Sequence, residues 1–159
     1  MATDVAGELL SVVEAASESL RRIGDLEASL RSDPGNWSKK EILGHLLDSA
    51  VNNHHRFVRA QQGEELTFPA YAQEHWVSSQ GYAERPWPEL VDLWRLYNRH
   101  LAHVISLIPE ERLAVMCVIG SDEPVTLSYL VEDYVVHLRH HLHELESSGA
   151  TPSYVGTKE

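Results

Sequence analysis

The chain has 159 residues, the length of one domain, with 43% hydrophobic and 23% charged residues, which excludes a disordered or collagen-like chain. Lysine and arginine number 13 against 24 acidic residues, a net charge of −11 that excludes phosphate-driven binding to nucleic acid or an anionic membrane. One cysteine, Cys117, excludes an internal disulfide and a cysteine-based zinc ribbon, whereas ten histidines nearly match the lysines and arginines together.

The opening MATDVAGELLSVVEAASESL lacks a basic run and is broken by acidic residues, so no secretory signal is expected and the expected location is cytoplasmic. No stretch is long and apolar enough for a membrane-spanning helix. An amphipathic helix is predicted from Asp4 to Leu30, because Leu9, Val13, Ala16, Leu20, Ile23, Leu26 and Leu30 recur at helical spacing. Ser32-Asp-Pro-Gly35 stops it. A second helix starts after Ser38, where Ser38-Lys-Lys-Glu41 forms a capping box, and runs to Gln62-Gly63. Ile42, Leu46, Ala50, Asn53 and Phe57 share its apolar face. Residues 63–86 hold no period and predict a long loop with at most a helical turn around Glu74 to Ser78. The third helix follows Pro88, carries Leu90, Trp94, Tyr97, Leu101 and Ile105 inward, and is closed by Pro109. An irregular or strand-like piece, LAVMCVIGSDEPV, leads to a fourth helix from Thr126 to Glu146. Four long helices with long links predict an all-α four-helix bundle with a crossover connection, a single domain over 1–147 and an irregular tail over 148–159.

Helical geometry sorts the histidines. His141 falls inside the apolar arc of the fourth helix and His137 at its edge, one turn earlier, so the two form an inward i, i+4 pair. On the second helix a polar stripe of His45, Ser49, Asn52 and Arg56 runs beside the core face, which costs stability unless it is paired or lines a cavity. His45 is the natural third ligand. Three imidazoles leave coordination positions open, the arrangement of a catalytic rather than a structural metal. Glu144, three residues past His141, and Asp48 are the candidate carboxylates behind the imidazoles, and no general base is assigned. Histidines 54, 55, 75, 100 and 103 read as surface or loop residues, and Cys117 as an inert thiol. GxGxxG, Walker A, GxSxG and HExxH motifs are absent.

The stretch Trp37-Ser-Lys-Lys-Glu-Ile-Leu-Gly-His45-Leu-Leu-Asp48-Ser49, with Asn52 and Arg56-Phe57 beyond it, resembles the second helix of DinB-like proteins, above all their YfiT-like branch. Tyr71-Ala-Gln-Glu-His-Trp76 is similar to that branch's Tyr and Trp loop, and His137-Leu-Arg139-His140-His141 to its His-x-Arg-His-His segment. The resemblance covers residues 8 to 146 and implies a four-helix bundle with crossover connections. It further implies a divalent metal, nickel or zinc, held by His45, His137 and His141 with water at the remaining positions. The implied activity is that of a metal-dependent hydrolase, or of a thiol S-transferase using a low-molecular-weight thiol such as bacillithiol, on a small-molecule substrate. Homodimers are common in the family. On this reading Ser49, Asn52 and Arg56 line the substrate pocket, with Asn52 and Arg56 gripping a carboxylate or phosphate. His75 stands where the branch more often has a small or acidic residue, and is a candidate extra ligand or gate. The rival reading is a non-catalytic, stress-associated metal-binding protein.

Overall fold

A computed structural model describes residues 2–147; the predicted tail over 148–159 lies outside the described residues. Four long helices form the bundle: α1 (Ala2–Arg21), α3 (Lys39–Ala60), α5 (Trp87–Ser106) and α6 (Leu127–Glu146). Shorter helices α2 (Asp25–Ser29) and α4 (Gln73–Ser79) occupy the connections. Helix α1 packs on α5 and α6, and α3 packs on the same two. The chain therefore crosses the bundle diagonally twice, from α1 to α3 and from α5 to α6, which bears out the predicted crossover topology.

The predicted first helix is two. It ends at Arg21 and restarts at Asp25, with Gly24 in an extended conformation as N-cap of α2. A glycine inside a helix costs about 1 kcal/mol relative to alanine, and Asp25 supplies the negative charge a new N-terminus favours. The break leaves Leu26 and Leu30, expected inside, 79% and 64% exposed. Helix α3 starts as predicted: Ser38 Oγ accepts from the Glu41 amide, while Glu41 Oε2 accepts from the Ser38 amide at 2.8 Å.

The connections also carry a small mixed sheet that periodicity did not reveal. Strand β1 (Glu65–Phe68) pairs in parallel with β2 (Met116–Ile119), and β2 pairs antiparallel with β3 (Val125–Thr126). Cys117 and Ile119 point inward and Met116 outward, the alternation of a half-buried strand. The sheet fastens the loop after α3 to the link between α5 and α6, so both long connections are ordered. Helix α4 extends the single turn expected near Glu74 to seven residues. At Gly44 an added Cβ would lie 2.1 Å from the Tyr82 ring, so only glycine lets the segment before α5 pack flat on α3.

Candidate metal centre

The capping box fixes the start of α3, and His45 follows less than two turns later with Trp37 packed on its ring at a centroid distance of 5.2 Å. Helix α6 is started by Thr126, whose side chain accepts from the Tyr129 amide at 3.1 Å. Its register brings His137 and His141 to the same place, with ring centroids 4.6 Å apart. The His45 ring lies 5.4 Å from that of His137 and 4.8 Å from that of His141. All three side chains are buried, and their ligand atoms lie within 4.8 Å of one another. The three residues selected by helical spacing are thus the three the fold brings together.

Glu144 stands behind them. It is buried, not solvated, and its Oε2 lies 2.6 Å from His141 Nδ1, with Oε1 3.3 Å from His140 Nε2. A carboxylate only accepts, so this contact puts the His141 ring proton on Nδ1, the tautomer in which Nε2 carries the lone pair that a metal would use. Three buried imidazoles without a neighbouring thiolate are a donor set that suits zinc or nickel, so the residues present fit a divalent metal.

Asp48 has a different task from the one considered for it. Its Oδ1 accepts from Tyr82 Oη at 2.6 Å and from Gln80 Nε2 at 2.7 Å, tying α3 to the segment after α4. Burial raises its pKa above the usual aspartate range, against the two hydrogen bonds that lower it. The sequence gives no sign of these partners, which lie 32 and 34 residues away.

The polar stripe beyond His45 is split. Ser49 and Arg56 share a crevice with His137, Tyr134 and Asp133, but its volume of about 10 Å³ admits no more than a water. Asn53, expected on the core face, joins them: its amide donates to Ser49 and its Oδ1 accepts from Arg56 Nη1 at 3.4 Å. Asn52 instead lines a separate cleft under the 67–76 loop. At about 100° per residue Ser49, Arg56 and Asn53 lie to one side of His45 and Asn52 to the other, so α6 covers the first group and the loop the second. A wider cleft of about 340 Å³, unforeseen in the sequence, abuts the centre through Trp37 and Glu144 and is walled by Ile42, Leu30, Arg31 and Lys39.

His75 is exposed on α4 and stands outside the three-histidine group. His55, His100 and His103 are exposed, as expected. His54 is half-buried, with Nδ1 2.8 Å from Tyr97 Oη, and its pKa is lowered, chiefly by burial. Cys117 is fully buried and its pKa is pushed up to about 11 by burial, so the thiol is inert at neutral pH.

A crossover helical bundle with three imidazoles converging from two helices defines a class of metal-binding domain. The family model described as the DinB superfamily matches residues 8–145, and the chain belongs to that superfamily. A protein of Oceanobacillus iheyensis named "Putative metal-dependent hydrolase" is 25% identical over 125 residues, 79% of this chain and 72% of its own length. A protein of Bacillus mycoides with the same description is 27% identical over 134 residues, 82% of this chain and 77% of its own. YfiT from Bacillus subtilis, described as "a probable metal-dependent hydrolase with an unusual four-helix bundle topology", superposes with a TM-score of 0.74. That match covers 89% of this chain and 84% of YfiT at 18% identity, and supports the fold.

Proposed function

We propose that this protein is a metal-dependent hydrolase acting on a small molecule, with a divalent metal, zinc or nickel, held by His45, His137 and His141. The observation that carries this reading is the buried three-histidine group backed by Glu144. When bound, such a metal supplies Lewis-acid polarisation and lowers the pKa of a coordinated water toward neutrality. The protein's own groups do the rest. Glu144 holds His141 in one tautomer and orientation. Trp37 packs on His45 and, with Ile42, gives the adjoining cleft an apolar wall for the substrate body. Arg31, held by Glu41 at 2.5 Å, and Lys39, bound to the Leu145 carbonyl, are fixed at the cleft's rim. The Ser49, Asn53 and Arg56 crevice is sized for ordered water and supports His137 from the opposite side.

The test is elemental analysis of the purified protein, followed by turnover of an ester and amide panel before and after chelation. One divalent ion per chain, lost in His45→Ala and His141→Ala, together with metal-dependent turnover, is the expected result. Unchanged metal content in both variants rejects the site. A loaded site with no turnover supports the non-catalytic reading, and turnover only when a thiol is added supports an S-transferase.

A further inference from the structure

A further cleft lies away from the three-histidine centre. It occupies about 570 Å³ between α3 and the 67–76 loop, well within the size range of small-molecule pockets. Tyr71 and Trp76 form one wall, with ring centroids 5.2 Å apart. Phe68 forms a shelf, with the Arg59 guanidinium 5.9 Å above its ring centroid and the His55 ring stacked at 6.3 Å.

Arg59 is the informative residue. In this acidic chain the other exposed arginines of the bundle sit on carboxylates, as Arg21 on Asp92, Arg99 on Glu14 and Arg139 on Glu8. Arg59 has no carboxylate or carbonyl acceptor among the described residues, and no carboxylate lines its cleft. A guanidinium left open beside three aromatic rings is complementary to a planar ligand bearing an anionic group.

The cleft is also held open by the backbone. The Gly120 amide donates to the Phe68 carbonyl at 2.8 Å. Gly120 has φ 61°, and an added Cβ would approach Ala70 Cβ to 3.0 Å. The strap from Phe68 to Ala70 is therefore clamped on the end of β2, and a ligand meets a preformed wall.

We infer that this cleft is a binding site for a small aromatic molecule carrying a phosphate or carboxylate, with Arg59 taking the anion and Phe68, Tyr71 and Trp76 the ring. It shares no lining residue with the crevice at His137 or the cleft at Glu144. Asn52, on its floor, stands two turns of α3 beyond His45, about 10 Å along the helix. The site therefore does not depend on the metal reading.

The probe is phenyl phosphate, titrated calorimetrically into the full chain, with inorganic phosphate and benzyl alcohol as half-ligands. Saturable binding is expected for phenyl phosphate, about tenfold or more tighter than for either half-ligand and unchanged by chelation. Arg59→Gln weakens it about tenfold, the size of one charge-assisted contact, and Arg59→Lys restores part of the loss. Trp76→Leu weakens it with Arg59 intact. The inference is overturned if Arg59→Gln binds like the wild type. It is equally overturned if inorganic phosphate binds as well as phenyl phosphate, or if chelation abolishes binding, which would place the probe at the histidines.

Discussion

At the scale of single residues, Glu144 and Asp48 show how burial divides the work of two carboxylates. Glu144 lies 2.6 Å from His141 Nδ1 and reaches the centre through that imidazole. Removing such an orienting carboxylate typically weakens metal affinity 10- to 100-fold. Glu144→Ala is therefore expected to lower zinc affinity by about that factor, measured by competition with a chromophoric chelator, while Glu144→Gln, which keeps an acceptor oxygen, loses less. Equal affinity in all three proteins would leave Glu144 a merely buried acid. Asp48 acts on stability instead. Because burial raises its pKa in the folded protein, the folded state binds more protons than the unfolded one in the window above the ordinary aspartate value. Stability from this group is full below that window and falls as pH rises through it. Asp48→Asn keeps an acceptor for Tyr82 and Gln80 but cannot ionise. Urea denaturation across the acid range is expected to show the variant losing less stability than the wild type as pH increases. Parallel curves would refute the assignment.

At the scale of elements, the centre joins two helices from opposite halves of the sequence. A metal held by His45 on α3 and His137 and His141 on α6, as proposed, would stabilise the folded state by mass action, about 2.7 kcal/mol at a hundredfold excess over Kd. For a domain of this size that is roughly 5–10 °C in Tm. Zinc or nickel added to chelated protein is expected to raise Tm by that much in calorimetry, and His45→Ala is expected to abolish the rise. The helices and their histidines were legible because both follow a 3.6-residue period: the Ser38 to Glu41 box, the inward pair on α6 and the stripe from His45 are local patterns. What was illegible is non-local or too short. A four-residue strand such as Glu65–Phe68 shows too little alternation to be told from loop, and its parallel partner lies beyond an entire helix. Glu144 at i+3 from His141 has the spacing of any solvated glutamate, and only the fold shows it buried. Asn53 reads as a core-face residue, yet its amide closes a polar crevice. The break at Gly24 was hidden by apolar residues that keep helical spacing through it, although Leu26 and Leu30 end up exposed.

At the scale of the whole molecule, the net charge of −11 would act on the two proposed sites with opposite sign. A diffuse negative potential concentrates divalent cations near the surface and repels anions, and both effects fade as salt shortens the Debye length, from about 30 Å at 0.01 M to about 10 Å at 0.1 M. A metal entering the three-histidine group would approach with the field, whereas an aromatic anion approaching Arg59 would have to cross it and would gain only from the local guanidinium. Nickel association can be followed by quenching of Trp37, whose ring lies 5.2 Å from His45. Its second-order rate is expected to fall several-fold as sodium chloride rises from about 10 mM to about 500 mM, with dissociation changing much less, because steering acts on encounter and the buried contacts are poorly screened. A rate indifferent to salt would mean that the arginine and carboxylate pairs on the surface cancel the field where the metal enters, leaving the overall charge without influence on loading.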